Sequence, residues 1–360
     1  MNSPRLTGDP DRLRAALAPE YQIERELGRG GMATVYLARE RKHDRMVAIK
    51  VLRPEIASLL GAERFFREIR IAARLCHPHI VPLLASDLTD DTLYYVMPYV
   101  EGESLRAHLG REPQMSLEAT VRIARQVASA LSYSHAQGIV HRDIKPENIL
   151  LTGGVAMVAD FGIAMAVEQA GSSRLTEPGL SVGTPRYMSP EQMGGPIDGR
   201  SDLYSLGCVV YEMLTGEPPF SGRTPAAIMS RHALDPVPRI RTIRPGIPEA
   251  VERVLSRALA KIPADRFATA DEFAAALEAR DTVLLAPVVP EGSIAVLPFV
   301  DSSKDRDQAY LCEGIAEELL DALTRLGTIR VASRTSAFAL SGQGLDVCEI
   351  GRRLHVRSVL

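Results

Sequence analysis

The sequence predicts an α+β fold in which a strand-rich lobe precedes a helical lobe, with a smaller α/β module at the end. Short apolar runs separated by glycines and charged residues come first, and long runs with helical spacing follow them. After residue 293, strand and helix patterns alternate. Because strands cluster in one part of the chain and helices in the next, we expect two lobes with a cleft between them.

The strand-rich lobe is assigned to residues 21–97, behind a leader of residues 1–20 that contains a candidate amphipathic helix at 11–18. Its predicted strands are Tyr21–Leu27, Val35–Arg39, Val47–Leu52 and Leu93–Val100. One helix is predicted between them, at Ala62–Leu75, since Phe65, Ile69 and Ala72 fall on one face at helical spacing.

The helical lobe is assigned to residues 101–280. Its long helical patterns cover Leu117–Gln137, Ser201–Thr215, Ala226–His232, Pro248–Ala260 and Ala270–Ala279. A proline-rich linker, 281–292, leads to residues 293–360, where strand, helix, strand, helix and strand follow in turn. This order favours a parallel sheet, and because the chain stops within the third strand we expect a truncated module.

Composition excludes several classes of protein. The chain has 360 residues, 46% of them hydrophobic, and a net charge of −3, so we expect a globular protein without a nucleic-acid partner. Its four cysteines form no CxxC pair and no signal peptide precedes them, which indicates a cytoplasmic protein. Prolines interrupt the only candidate membrane span, 282–300; a linker followed by a buried strand is the preferred interpretation, and a membrane-anchored protein is the alternative.

A glycine-rich segment, Leu27–Val35, lies between two predicted strands. Gly28, Gly30 and Gly31 would let backbone N–H groups approach a phosphate, although a plain tight hairpin is the ordinary interpretation of such a segment taken alone. The next strand ends in Lys50, and an ammonium in an apolar run needs a carboxylate partner. Glu68, on the predicted helix, is the expected partner.

One loop, His141–Asn148, combines a carboxylate, an ammonium and an amide. Asp143 could accept a proton from a hydroxyl, Lys145 could neutralise a phosphate in transfer, and Asn148 could bind a metal through its oxygen. Asp160, in the sequence Asp-Phe-Gly, follows another short strand and indicates a second metal-binding carboxylate. These residue types suit phosphoryl transfer.

Together these segments resemble the signature of protein kinases, and most closely that of the eukaryotic-like Ser/Thr protein kinases of bacteria. The resemblance covers residues 21–280 and implies the bilobal protein-kinase fold. It rests on six ordered motifs, which are the glycine loop, Val47–Lys50, Glu68, His141–Asn148, Asp160–Gly162 and Ser189–Glu191.

The resemblance implies a role for each motif residue. Lys50 would hold the α- and β-phosphates of ATP and pair with Glu68, and Asp143 would be the catalytic base. Asn148 and Asp160 would carry Mg²⁺. Asp202 would anchor the catalytic loop from beneath, and Glu191 would pair with Arg266 as a structural contact.

The resemblance also places the adenine site between the lobes. Met97 would close the back of this pocket, and Pro98–Val100 would form the hinge, with the N–H of Val100 as donor. Its apolar walls would be Leu27, Val35 and Ala48. Pro98 keeps the carbonyl acceptor that adenine requires. Ala33 replaces the third glycine of the loop, which predicts a stiffer loop that still binds ATP.

Lys145 and Thr184 resemble the Ser/Thr rather than the Tyr kinases, and Thr184 would contact Asp143 and Lys145. Arg142 stands where the family pairs an arginine with a phosphorylated activation loop, and Thr176 falls at the loop phosphosite. We therefore expect autophosphorylation, with a dimer as the possible arrangement, and Ser/Thr side chains of proteins as substrates. The alternatives are a catalytically silent ATP-binding scaffold and a membrane receptor kinase.

The last zone, 293–360, shows no catalytic residue pattern. Its strand Ile294–Phe299 and the helix containing Glu313–Ile315 resemble the TolB-amino-terminal-like module that follows some bacterial kinases. We interpret it as a binding or sensory module.

Overall fold

The computed structural model describes residues 10–89, 92–161, 185–279, 293–299, 309–325, 330–332, 337–338, 346–354, 356 and 358–360. The chain divides into two units, residues 1–281 and 282–360. Within the first unit, a sheet-rich lobe precedes a helical lobe, as the sequence predicts.

An antiparallel sheet forms most of the first lobe. Its strands are β1 (Tyr21–Arg29), β2 (Ala33–Glu40), β3 (Arg45–Leu52), β4 (Ala85–Thr89) and β5 (Thr92–Pro98). Their spatial order is β1-β2-β3-β5-β4. The two strands that are buried on both faces are β3 and β5, and their valines, isoleucine and tyrosines are residue types that favour strands.

The register of this sheet decides which side chains meet at the cleft. Lys50 lies opposite Val35 on β2 and opposite Tyr95 on β5. Ala48 lies opposite Met97. Directly paired residues, and residues two apart on one strand, share a face of the sheet. All five side chains therefore belong to the same face.

The other face packs on the end of α1 (Pro10–Leu17). Leu17 is only 2% exposed and lies in one cluster with Tyr21, Val47 and Ile49. The sequence separates residues 1–20 as a leader, but in the structure the carboxyl end of that segment completes the core of the lobe. Helix and strand patterns alone do not reveal this packing.

Two helices cross the cleft-side face of the sheet. They are α2 (Pro54–Leu60), which the sequence pattern is too short to predict, and α3 (Ala62–Ala72). Gly61, with φ of 71°, joins them, a backbone angle that glycine adopts without steric strain. Phe65 and Ile69 of α3 pack beside Tyr95. The helix ends at Ala72 rather than at the predicted Leu75.

The second lobe is built around a buried helix, Gly199–Thr215, which packs against the helix Leu117–Ala136. In the described part of this lobe, residues 101–161 and 185–279, the helices are α4 (Leu105–Arg111), α5 (Leu117–Ala136), α6 (Gly199–Thr215), α7 (Pro225–Leu234), α8 (Ile240–Ile243), α9 (Glu249–Ala258) and α10 (Ala270–Glu278). The predicted long helices are all present, with ends shifted by a few residues.

A small antiparallel sheet lies where the two lobes meet. It contains β6 (Glu103–Ser104), β7 (Ile149–Thr152) and β8 (Val155–Val158), in that order. Because β7 and β8 form a tight hairpin, the residues that precede β7 and follow β8 lie side by side. The N–H of Ala159 donates to the carbonyl of Asn148 at 2.9 Å. This pairing brings Asn148 and Asp160 to the same end of the hairpin.

The second unit contains a parallel sheet in which β9 (Ser293–Ala295) lies between β10 (Arg330–Val331) and β11 (Ser358–Val359). Two helices with described bounds belong to this unit, α11 (Ala309–Arg325) and α12 (Val347–Leu354). The predicted order and parallel pairing are confirmed, but the strands are shorter than predicted. The likeness to a TolB-amino-terminal-like module stays a prediction.

The candidate membrane span, 282–300, lies largely outside the described residues. The described part of it, 293–299, begins as β9 and contains no helix. In the ranges that the structure describes, no helix has both the length and the apolar character needed to cross a membrane.

Candidate active site

An ion pair joins the two lobes at the cleft. Nζ of Lys50 lies 2.5 Å from Oδ2 of Asp160. The hydroxyl of Tyr95 donates to the other carboxylate oxygen, Oδ1, at 2.6 Å. Burial opposes ionisation of this carboxyl group, but the charge and hydrogen bond of Lys50, together with the bond from Tyr95, outweigh burial and lower the pKa of Asp160. Asp160 is therefore an ionised carboxylate with a donor on each oxygen.

The pairing of Lys50 differs from the prediction. Glu68 was expected to be the partner of Lys50, but its Oε1 instead accepts a hydrogen bond from Nη2 of Arg67 at 3.1 Å. Glu68 is 4% exposed and lies on α3. Lys50, whose side chain is 19% exposed, pairs instead with Asp160 from the second lobe.

The loop from His141 to Asn148 gathers its polar groups around Asp143. Nζ of Lys145 lies 2.6 Å from Oδ2 of Asp143. The side-chain amide nitrogen of Asn148 donates to the same oxygen at 3.1 Å and to the Asp143 carbonyl at 2.8 Å. The Asp143 side chain is about one-third exposed, at 34%. It is thus both oriented by its neighbours and open to a substrate.

Asp202 holds this loop from below, as predicted. Its carboxylate is fully buried and accepts hydrogen bonds from the backbone N–H groups of His141 at 2.8 Å and Arg142 at 2.7 Å. The ring of His135 contacts the same carboxylate at 2.7 Å. Arg142 has a φ of 70°, which is unfavourable for a residue with a side chain, and the two bonds to Asp202 stabilise that conformation.

His141 connects the loop to the segment that carries Asp160. Its Nε2 lies 2.9 Å from the carbonyl oxygen of Ala159. Its ring makes an edge contact with the ring of Phe161, with 4.5 Å between the centroids. Asp160 itself has a φ of 70°. Packing and hydrogen bonds on both sides therefore fix the backbone that presents the Asp160 carboxylate.

Asn148 and Asp160 are suitable ligands for a divalent cation. The amide nitrogen of Asn148 is directed to Asp143, which leaves its amide oxygen as the ligating atom. A carboxylate and an amide oxygen are hard donors of the kind that Mg²⁺ prefers. The hairpin β7–β8 places both residues at one end of the cleft. The residues present therefore fit a magnesium ion.

The expected adenine pocket has its apolar residues in register. Val35, Ala48 and Met97 lie on the cleft-side face of β2, β3 and β5, and Ala48 is 6% exposed. Leu27 lies on β1 and Pro98 ends β5, paired with Val47. Val100 follows β5 in irregular structure.

The glycine segment forms the turn between β1 and β2. Gly28 pairs with Val35, and the N–H of Gly30 donates to the carbonyl of Ala33 at 2.8 Å. The carbonyl of Gly31 accepts a hydrogen bond from Arg53 at 3.2 Å. Ala33 is 3% exposed and packs in a core cluster with Leu52. Its methyl group therefore contributes to the core of the lobe.

Some predicted residues lie outside the described part of the chain. They are Gly162, Thr176 and Thr184. Other residues of the site were not predicted at all, namely Tyr95, His135 and Gln192. Gln192 donates to the carbonyl of Arg142 at 2.8 Å. The signal for Tyr95 was its position in an apolar strand that neighbours the strand of Lys50, a position that also suits an ordinary core residue.

Comparison with known proteins agrees with this geometry. A model of the protein kinase domain family matches residues 21–277. Serine/threonine-protein kinase PknH of Mycobacterium tuberculosis is 41% identical over 259 residues, which cover 71% of this chain and 41% of PknH. Serine/threonine-protein kinase PknD of the same organism is 40% identical over 260 residues, covering 71% of this chain and 39% of PknD.

Among solved structures, that of Rad53 residues 1–466 in complex with AMP-PNP is similar, with a TM-score of 0.58 and 28% identity. The similarity covers 72% of this chain and 65% of that one. The chain spans roughly two-fifths of the length of these curated relatives, at 41% and 39%. These curated relatives are bacterial Ser/Thr kinases, and with a family match over most of its length the chain belongs to the protein kinase family.

Proposed function

We propose that the chain is an ATP- and Mg²⁺-dependent protein Ser/Thr kinase that transfers the γ-phosphate of ATP to hydroxyl groups of proteins. The observation that carries the proposal is the cluster of Asp143, Lys145 and Asn148, with Nζ of Lys145 2.6 Å from the Asp143 carboxylate. The pairing of an oriented carboxylate with an ammonium suits transfer to a hydroxyl, because one group receives the proton and the other stabilises charge on the phosphoryl group.

In this proposal Asp143 accepts the hydroxyl proton of the substrate through its carboxylate. The hydroxyl oxygen bonds to the γ-phosphorus while the bond from that phosphorus to the β,γ-bridging oxygen breaks, and ADP leaves. Lys145 neutralises the transferred phosphoryl group. Bound Mg²⁺, held by Asn148 and Asp160, would neutralise the phosphate oxygens of ATP.

Lys50 would contact the α- and β-phosphates of ATP. In the structure its ammonium lies 2.5 Å from the Asp160 carboxylate. To contact phosphate, the ammonium must either bind Asp160 and the phosphate together or leave Asp160. Glu68, once it is released from Arg67, is then the second carboxylate with which the Lys50 ammonium could pair. Leu27, Val35, Ala48 and Met97 would surround adenine, with the Pro98 carbonyl and the Val100 N–H as hydrogen-bonding groups.

Control of the reaction would depend on the segment between Asp160 and Glu191. We propose autophosphorylation on Thr176, with the phosphate received by Arg142, and a contact of Thr184 with Asp143 and Lys145. In a dimer, one copy of the chain would phosphorylate Thr176 of the other copy. Location in the cytoplasm belongs to the same proposal and is supported by the composition of the chain.

Phosphate transfer from radiolabelled ATP to a generic basic protein tests the function. We expect label in the substrate with the wild type, none with Asp143→Asn, and wild-type incorporation with Asp235→Asn, an exposed carboxylate of the same lobe. Nucleotide binding without incorporation would favour the silent scaffold, and equal incorporation by Asp143→Asn would exclude Asp143 as the base. Fractionation of cells that express the natural protein tests the alternative of a membrane receptor.

A further inference from the structure

Tyr95 is a buried polar group that the family motifs do not include. It is 2% exposed and lies on the cleft-side face of β5, directly opposite Lys50 on β3. Its hydroxyl donates to Oδ1 of Asp160 at 2.6 Å, from a residue 65 positions away in the chain. The same side chain lines a partly open pocket together with Ala72 and Phe161.

A hydroxyl at this depth needs a partner. An unpaired buried hydroxyl would cost roughly 1–3 kcal/mol, and a phenylalanine would fill the same space without that cost. Asp160 is the hydrogen-bond acceptor that the structure gives to Tyr95. Its second oxygen, Oδ2, receives Lys50. Tyr95 and Lys50 thus each bind a different oxygen of the same carboxylate.

A carboxylate whose plane is free to rotate presents either oxygen to a metal. The bond from Tyr95 fixes Oδ1 on the side of the sheet, and Oδ2 then faces Lys50 and the cleft. Carboxylates that ligate metals are commonly hydrogen-bonded in this way through the oxygen that does not bind the metal, and loss of such a partner typically lowers metal affinity by about 10- to 100-fold.

We propose that Tyr95 is a positioning residue for Asp160, which orients the carboxylate for Mg²⁺ by holding Oδ1. The proposal rests on the proposed function, since it assigns Asp160 to the metal. Lys50 can leave Oδ2 for a phosphate group while Tyr95 keeps its own bond, because the two donors use different oxygens. Tyr95 thereby preserves the orientation of Asp160 when the ion pair between the lobes is exchanged.

The test compares Tyr95→Phe with Tyr94→Phe. Tyr94 is the adjacent residue, is 5% exposed, and packs on the opposite face of the sheet with Tyr21 and Val96, so its variant matches the chemistry of the change without touching Asp160. Calorimetric titration with ATP is carried out in EDTA and again in saturating Mg²⁺. The ratio of the two affinities measures the contribution of the metal.

We expect Tyr95→Phe to reduce this ratio by about 10-fold or more, with unchanged affinity for ATP in EDTA, and Tyr94→Phe to leave the ratio unaltered. In the transfer assay, Tyr95→Phe should raise the KM for Mg²⁺, and saturating Mg²⁺ should restore most of kcat. Thermal melting checks that both variants fold.

An unchanged ratio in a folded Tyr95→Phe protein would overturn the proposal. Tighter binding of Mg²⁺–ATP by that variant would also overturn it, because Tyr95 would then compete with the metal for Asp160. These outcomes are separate from failure of the proposed function, which would appear as a wild-type protein whose ATP affinity does not depend on Mg²⁺ or which transfers no phosphate.

Discussion

Arg266 and Glu191 form a two-pronged ion pair in the helical lobe, with Nη1 2.7 Å from Oε1 and Nη2 2.8 Å from Oε2. The side chains are 0% and 8% exposed. Burial opposes ionisation of Glu191, but hydrogen bonds from Arg266 and Ser201 dominate and lower its pKa to about 2. Arg266 also donates to the carbonyls of Ala260, Arg200 and Lys261, so the pair ties together segments distant in the sequence.

Removal of one partner should therefore be costly. We expect Arg266→Met to lower the free energy of unfolding by about 3–5 kcal/mol, because it leaves a buried carboxylate without a counter-charge. Arg253→Met is the control, since Arg253 pairs with Glu249 on the surface with both side chains more than 60% exposed, and its change should stay within about 1 kcal/mol. Urea unfolding measures both; equal effects would contradict the assignment.

A buried histidine predicts that the free energy of unfolding decreases at mildly acidic pH, above the range in which carboxylates become protonated. Burial, aided by the nearby charge of Lys261, lowers the pKa of His232 to about 4, and its ring contacts the hydroxyl of Tyr204 at 2.9 Å. The unfolded chain binds a proton near pH 6.5, whereas the folded chain does not until about pH 4. The free energy of unfolding therefore keeps the full contribution of neutral His232 above pH 6.5 and falls by up to about 3 kcal/mol as the pH drops to 4.

The measurement is the free energy of unfolding at several pH values between about 6.5 and 5, above the ordinary pKa of 4.5 at which the stabilisation from Glu191 begins to be lost. His232→Gln should flatten the decline, because an amide keeps hydrogen-bonding capacity but does not ionise. His43→Gln, at an exposed histidine of the first lobe, should leave the decline unchanged. An equal slope in His232→Gln and the wild type would contradict this origin.

The sequence predicted most of the secondary structure and the order of the motifs. Helical and strand periodicity depends on burial of one face, and α5, α6 and β3 are long enough to display it. The anchoring of the Asp143 loop by Asp202 was also predicted, from the resemblance. These features depend on local pattern or on a family's fixed backbone.

The partner of Lys50 could not be predicted in the same way. Glu68 and Asp160 are both carboxylates that the sequence offers to one ammonium, and in the structure Lys50 pairs with Asp160 while Glu68 pairs with Arg67. Tyr95 could not be predicted as a residue of the site, because an aromatic residue in an apolar strand has the pattern of an ordinary core residue. Only the strand register shows that it lies opposite Lys50. Both facts arise from contacts between residues far apart in the chain, which periodicity does not encode.

Gly102, just after the hinge, should not tolerate a side chain. Its φ is 153°, and a Cβ atom there would lie 2.0 Å from the carbonyl oxygen of Leu151. We expect Gly102→Ala to destabilise the protein by at least about 1–3 kcal/mol, since backbone must move. Gly110→Ala in α4 is the control: a Cβ there meets nothing within 4 Å and should stabilise the helix by up to about 1 kcal/mol. Thermal melting that ranks the variants in the opposite order would contradict the geometry.

Thr176 should control activity through its phosphate. A phosphate adds about −1.5 to −2 charges, enough to order a loop through charged hydrogen bonds. We expect mass spectrometry to find it on Thr176 of the wild type but not on that of Asp143→Asn, and Thr176→Ala to slow turnover. Ser172→Ala is the matched control in the same segment. Fully active protein with unmodified Thr176 would contradict the prediction.

Lys50 provides the sharpest test of the link between the two lobes. Lys50→Met removes the ammonium that lies 2.5 Å from Asp160 and keeps a side chain of similar length, so we expect the fold to persist. Turnover should fall at least about 10²-fold, the size of effect that follows deletion of one preorganised hydrogen-bond donor in an active site. Lys42→Met, at an exposed lysine between β2 and β3, should retain wild-type turnover.

Glu68→Gln then separates the two possible partners of Lys50. If Lys50 exchanges Asp160 for Glu68 when it binds phosphate, Glu68→Gln loses turnover although the pair seen in the structure is intact. Loss in Lys50→Met together with wild-type turnover in Glu68→Gln would show that Asp160 alone serves Lys50. No other described lysine is paired with Asp160, so none stands ready to replace Lys50. Wild-type turnover in Lys50→Met would therefore show that the reaction does not need the Lys50 ammonium.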